Sequence, residues 1–131
     1  MSIPDGSALS RIGQIAIDAH DVDRATAFYR DVLGLQQHLF RAGQLSFFEC
    51  GGVRLMLDKP EKPEFDHPSS ILYFQVGDIQ AAFQRLKSAG AKFGDEPHVL
   101  ARMSQHDLWM TLFRDTEGNL LALMSEVAHA A

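Results

Sequence analysis

The sequence predicts an α+β fold built from two tandem βαβββ modules within a single domain of 131 residues. A strand that leads into an Asp-capped helix occurs near the start, and the same arrangement returns 57 residues later, where Asp78 takes the place of Asp21. A proline-containing linker at about residues 59–69 separates module one, about residues 11–58, from module two, about residues 70–127. Because each module alone would leave one face of its sheet bare, we expect the two modules to pack on one another.

Module one begins with an amphipathic strand. Ile15 and Ile17 occupy one face of this strand, and Gln14 occupies the other. Asp21 is a favourable N-cap for the helix that follows, and Gly34 is the expected residue at its end. Three strand-like runs complete the module, at residues 36–40, 45–50 and 53–57, and a Gly-Gly pair predicts a hairpin between the last two.

Module two repeats this order. A strand at residues 71–76 precedes a helix that Asp78 caps and Gly90 ends, and Ile79, Phe83 and Leu86 form its predicted buried stripe. Further strands are predicted at residues 92–93, 99–103, 109–113 and 120–124, with the last hairpin turn at 115–119.

Composition excludes several classes of function. The net charge is −5 without a basic stripe, so we expect no nucleic-acid partner. A single cysteine, Cys50, cannot form an intrachain disulfide. The N-terminal segment lacks the pattern of a signal peptide, and no apolar run approaches the roughly 20 residues of a membrane span. We therefore expect a cytoplasmic protein with no membrane partner.

Two motifs connect this organisation to a known family. The first helix carries FYRDVLGL at residues 28–35, and the final turn carries FRDTEGNL at residues 113–120. With the paired modules, they resemble the vicinal oxygen chelate superfamily, which includes glyoxalase I, bleomycin-resistance proteins, fosfomycin-resistance proteins and extradiol dioxygenases. The resemblance implies an open barrel around a pocket, a divalent metal held by side chains from four strands, and a homodimer that pairs modules between subunits.

The metal-ligand positions that the resemblance implies are poorly filled. They fall on Gln14, Leu55, Ile71 and Ala122, of which only Gln14 offers a donor atom. Shifting the register by one residue adds no carboxylate or imidazole, since the neighbouring residues are Arg54, Met56, Ser70, Leu72, Leu121 and Leu123. Because a catalytic metal needs several nitrogen or oxygen ligands, a divalent metal is possible but disfavoured, and no cofactor is expected.

An apolar pocket with a few polar groups is the expected alternative. The predicted ligand-binding residues are Gln14, Leu55, Ile71, Tyr73, Gln75, Arg102, Trp109 and Ala122. Tyr73 and Gln75 either orient a ligand or hydrogen-bond to each other. Trp109 either forms a pocket wall or fills the core.

Candidate catalytic residues are fewer. His98 and His106 are either surface histidines beside a hairpin or a general acid and base, and Glu49 is a third candidate. Cys50 is predicted to be a small buried residue, and His67 to lie in a solvated loop. Two functions remain open: a metal-independent small-molecule-binding protein, and a glyoxalase-like lyase or isomerase with a rearranged site.

Overall fold

The computed structural model describes residues 6, 7 and 9–129 and has the predicted α+β architecture. Module one contains β1 (Gln14–Asp18), α1 (Val22–Ala27), a π-helix (Phe28–Val32), β2 (His38–Ala42), β3 (Leu45–Cys50) and β4 (Val53–Asp58). A 3-10 helix (Pro63–Phe65) lies in the linker. Module two contains β5 (Leu72–Gln75), α2 (Ile79–Ser88), β6 (Lys92–Phe93), β7 (His98–Arg102), β8 (His106–Arg114) and β9 (Leu120–Ala128). None of the helices in these ranges is long and apolar enough to cross a bilayer.

Each module forms its own sheet. The order in module one is β1-β4-β3-β2, and in module two it is β5-β9-β8-β6, with β7 also pairing with β8. In both sheets the first strand pairs in parallel with the last strand of the same module, and the other pairs are antiparallel. The sheets therefore repeat one topology, as the sequence repeat predicts, except that the short strand β6 is added to the second sheet.

The first helix changes its winding after one and a half turns. Asp21 caps α1 by accepting a hydrogen bond from the Arg24 amide at 3.0 Å. From Phe28 the helix continues as a π-helix, and the Leu33 amide donates to the Phe28 carbonyl at 3.0 Å. Apolar spacing at about 3.6 residues predicts a helix here, but it does not distinguish the wider π turn from an ordinary α turn.

The core is shared by both modules. Ile17 and Phe48 from module one belong to the same cluster of buried residues as Leu86 and Phe113 from module two. Each of these side chains is at most 2% exposed, and burial of a side chain of this size stabilises by roughly 1.5–3 kcal/mol. The helix-facing sides of the two sheets therefore meet in one core, and the opposite sides remain open.

A polar network around the last turn joins the modules. Asp115 accepts hydrogen bonds from Tyr29 Oη at 2.7 Å and from the amides of Glu117 and Asn119 at 2.8 and 2.9 Å. Glu117 also accepts from Arg24 Nε at 3.0 Å. The Asn119 side-chain amide donates to the carbonyl of the last residue of β1 at 2.7 Å. The motif at 113–120 is thus part of the contact that holds the two modules together.

Candidate functional site

The open face of the first sheet carries Gln14. Gln14 pairs with Arg54 across the parallel β1–β4 ladder, and the next pair on the same face is Ala16 with Met56. Gln14 and Ala16 are exposed, whereas Ile15 and Ile17 face the helix side. The predicted alternation along β1 is therefore correct, and Gln14 lies on the solvent-facing side.

The Gln14 side chain is held by its neighbours on β4. Its Oε1 accepts from Arg54 Nε at 2.8 Å, and its Nε2 donates to Met56 Sδ at 3.6 Å. The guanidinium carbon of Arg54 lies 5.2 Å from the centre of the Phe47 ring. This arrangement presents a positive charge beside an aromatic ring, which suits an anionic group attached to an apolar body.

The open face of the second sheet is more apolar. Ile71 and Tyr73 are 45% and 44% exposed, and Gln75 is also exposed. Tyr73 pairs with Ala122, which in turn pairs with Leu112 on β8. Three of the predicted ligand-binding residues, Tyr73, Gln75 and Ala122, therefore share one sheet face, in which Ala122 is fully buried. Ile71 lies immediately before β5.

Three other predicted ligand-binding residues lie elsewhere. Leu55 is 3% exposed and packs in the core, because the β1–β4 register pairs Gln14 with Arg54 and leaves Leu55 beside Ile15. Trp109 packs partly buried against the same core. Arg102 forms an ion pair with Asp107, its antiparallel partner, at 2.9 Å. Because side chains alternate between faces along a strand, the β4 residues that share a face with Gln14 are Arg54 and Met56.

The candidate catalytic residues are dispersed. His98 pairs with Met110, and its Nδ1 donates to the Glu96 carbonyl at 3.0 Å. His106 begins β8, six residues from Leu112, which corresponds to about 20 Å along the strand. In module one, Glu49 accepts a hydrogen bond from the Gly52 amide at 2.7 Å and stabilises the hairpin. The structure brings none of these three residues into contact with another.

The open faces do not fit the metal centre implied by the superfamily resemblance. The four strands place Gln14, Arg54, Met56, Ile71 and Ala122 at or beside the implied ligand positions. Of these side chains, only the Gln14 amide provides an oxygen ligand, and Arg54 already binds that oxygen. A guanidinium and aliphatic side chains do not coordinate a divalent cation.

A separate cluster of ionisable groups lies at the end of β1. One donor atom from each of Asp18, His20 and Asp66 lies within 4.8 Å of the others. His20 Nε2 lies 2.8 Å from Asp66 Oδ1 and 3.9 Å from Asp18 Oδ2. A cavity of about 800 Å³ adjoins the cluster. The sequence analysis did not predict this cluster, because the path of the linker that brings Asp66 to β1 leaves no periodic signal in the sequence.

The pKa values in this cluster move in opposite directions. Burial, followed by the hydrogen bond and charge of Asp66, raises the pKa of Asp18 to about 6. The hydrogen bond from His20 lowers the pKa of Asp66, and the same bond raises the pKa of His20. The cluster therefore holds one carboxyl that resists ionisation beside a carboxylate and an imidazole that favour their charged forms.

The family model of the Glyoxalase/Bleomycin resistance protein/Dioxygenase superfamily matches residues 11–123. The chain belongs to this superfamily. The match begins before β1 and ends within β9, so it includes both modules. A comparison with proteins of curated function finds no match.

Solved structures of superfamily members share the fold. A lactoylglutathione lyase from Agrobacterium tumefaciens is 27% identical, with a TM-score of 0.70 over 90% of this chain and 95% of that chain. A glyoxalase/bleomycin resistance protein/dioxygenase from Alicyclobacillus acidocaldarius is 18% identical, with a TM-score of 0.69 over 92% and 94%. A third, from Nocardioides, is 19% identical, with a TM-score of 0.70 over 97% and 91%. The last two matches bear on the fold alone.

Proposed function

We propose that this superfamily member binds a small organic molecule on its open sheet faces without a metal at the positions that the resemblance implies. The observation that carries this proposal is the composition of those faces. One face presents Arg54 over the buried Phe47 ring, with the exposed Phe40 stacked on that ring. The other presents Tyr73 and an apolar floor, with Ile71 just before β5, and neither face presents a set of metal ligands among the residues that the structure describes.

The chemistry of the faces favours an anionic ligand with an aromatic or aliphatic body. Arg54 offers donors to a carboxylate while Gln14 holds its Nε. Phe40, which is 47% exposed and stacks on the buried Phe47 ring, and Tyr73 offer flat apolar contact. Gln75 adds an exposed amide on the Tyr73 face. The ligand is therefore oriented by hydrogen bonds to a few polar side chains and stabilised by apolar burial.

A second copy of the chain completes the site in this proposal. The helix-facing sides of both sheets are used in the intrachain core, so both open faces point away from it. Pairing module one of one copy with module two of its partner would cover Ile71 and Tyr73, which are about half exposed in the single chain. We expect a homodimer in sedimentation-velocity measurements.

Ligand screening tests the binding proposal. A library of small carboxylic acids, with and without an aromatic ring, is screened by thermal shift in buffer containing EDTA. Aromatic acids should raise the melting temperature, and Arg54→Ala or Tyr73→Ala should abolish the rise. Arg30→Ala is the matched control, because Arg30 is an exposed arginine paired with Asp31 on the first helix. No stabilising compound, or equal stabilisation in Arg54→Ala and Tyr73→Ala, would contradict the proposal.

The dimer is tested separately. Ile71→Asp places a charge on the open face of module two and should shift the protein from dimer to monomer. Leu9→Asp is the control, because Leu9 is fully exposed and precedes the first strand. A wild-type chain that sediments as a monomer at all concentrations would contradict the dimer.

A glyoxalase-like lyase or isomerase is the second candidate. The similarity to the Agrobacterium lactoylglutathione lyase, at 27% identity over 90% of this chain, favours it. Here His98, His106 and Glu49 are the available acid–base groups. Turnover of lactoylglutathione by the purified chain that is lost in His106→Ala would support this candidate. Absence of turnover together with binding of an aromatic acid would favour the first proposal.

A further inference from the structure

The end of β1 and the linker bring three potential ligands together at the edge of the open face of the first sheet. Asp18 and His20 lie at this end of β1, and the linker returns Asp66 to them. The Asp18 amide donates to Ser69 Oγ at 2.9 Å, which fixes the linker against the strand. Asp18 lies four residues after Gln14, or about 13 Å along the strand. The cluster is therefore separate from the position where the superfamily resemblance implies a metal.

One oxygen of this cluster lacks a partner. Asp18 Oδ1 is buried and accepts no hydrogen bond from any residue that the structure describes. The Asp18 side chain is only 17% exposed, so solvent does not replace the missing donor. A buried acceptor left unpaired costs about 1–3 kcal/mol, and more if it is charged. A bound cation would give Asp18 Oδ1 the partner that the chain does not supply.

No arginine or lysine within the described ranges forms an ion pair with Asp18 or Asp66. Arg24, which lines the same cavity, is bound to Glu117 at 3.0 Å. His20 is the only group that pairs with the two carboxyls in this part of the structure. His67 lines the same cavity but forms no ion pair with either carboxyl in this part of the structure. The two carboxyl groups therefore leave excess negative charge when both are ionised and the imidazoles are neutral.

We propose that Asp18, His20 and Asp66 bind one divalent transition-metal ion. Ligands at about 2.0–2.2 Å from a metal lie about 3–4 Å from one another, and the three donor atoms are already within 4.8 Å. Two carboxylates and one imidazole form a donor set that suits Mn²⁺ or Zn²⁺. The adjoining cavity of about 800 Å³ leaves room for water at the remaining positions.

Manganese titration tests the site. The chain is stripped with EDTA, dialysed, and titrated with Mn²⁺ while free Mn²⁺ is followed by electron paramagnetic resonance. One Mn²⁺ should bind per chain, and Asp66→Asn, Asp18→Asn and His20→Ala should each weaken binding by at least about tenfold. Asp66 and His20 are 41% and 65% exposed, so these two substitutions are expected to leave the fold intact, which circular dichroism checks.

Two matched variants locate the bound ion. Glu64→Gln removes an exposed carboxylate from the same linker, and Gln14→Ala removes the donor at the position that the superfamily resemblance implies; both should bind Mn²⁺ as the wild type does. No stoichiometric binding, or binding that Asp18→Asn and Asp66→Asn leave unchanged, would overturn the site. The ligand-binding proposal is independent of this result, because its thermal-shift screen is performed in EDTA.

Discussion

Asp18 carries the most strongly perturbed carboxyl in the candidate cluster. Asp18 is the last residue of β1 and lies on the same face as Gln14 and Ala16. Its side chain is largely covered where the linker packs against the strand. Burial and the neighbouring Asp66 raise its pKa to about 6 from an ordinary value of 3.8. Position in the sequence gives no warning of this, because Asp at the end of a strand is usually solvated.

We predict that Asp18→Asn stabilises the metal-free protein at pH 7.5 and not at pH 4. A carboxyl whose pKa is raised in the folded state contributes stability that is present below pH 4 and is lost as the pH rises through about 6. Asparagine keeps the shape and removes the ionisation. The gain at pH 7.5 should be about 1–2 kcal/mol, because His20 offsets part of the charge.

Urea unfolding in EDTA at both pH values measures this difference. Glu64→Gln, which changes an exposed linker carboxylate, should show no difference between the two pH values relative to wild type. Equal stability of Asp18→Asn and wild type at pH 7.5 would show that the Asp18 carboxylate is solvated.

At the scale of elements, the helix N-termini were predictable from single residues. Asp21 and Asp78 both accept a hydrogen bond from the amide three residues later, at 3.0 and 3.1 Å. The two faces of β1 were also predictable, because its apolar and polar residues alternate along the strand. On β4, Leu55 was predicted to line the pocket but lies in the core, because only the pairing with β1 sets the register.

We predict that Asp78→Ala lowers the free energy of unfolding by about 1 kcal/mol. The substitution removes the acceptor for the Ala81 amide at the start of α2, and that amide then has no intrahelical partner. Gln80→Ala is the control, because Gln80 is exposed within the same helix and should change stability by less than about 0.5 kcal/mol. Equal effects of the two substitutions in chemical denaturation would contradict a capping role.

At the scale of the whole molecule, the two modules depend on one core. Phe48 and Leu86 are 0% and 2% exposed and belong to the same buried cluster, although they lie in different modules. The contacts of Tyr29 with Asp115 and of Arg24 with Glu117 add polar links across the same boundary. Neither module is expected to unfold while the other stays folded.

We predict that Phe48→Ala and Leu86→Ala each lower the stability of both modules together. Each substitution should cost about 2–5 kcal/mol, because it leaves a cavity in the shared core. Trp109 is the only tryptophan and lies in module two, so its fluorescence reports on that module while far-UV circular dichroism reports on both.

The two signals should give one coincident transition in wild type and in both variants. Phe65→Ala, at an exposed linker position, is the control and should leave the midpoint unchanged. A Trp109 transition that stays at the wild-type midpoint in Phe48→Ala would show that the modules unfold independently.

The sequence by itself determined the two-module plan, the order of helices and strands, and the poor fit of Gln14, Ile71 and Ala122 to a metal centre. These follow from local rules: alternation along strands, helical spacing and the ligand chemistry of individual side chains. Only the tertiary structure decided that Leu55 belongs to the core, that Trp109 packs partly buried against it, and that Asp66 meets Asp18 and His20. Strand register and the path of a linker depend on contacts between residues distant in the chain, and such contacts leave no periodic pattern in the sequence.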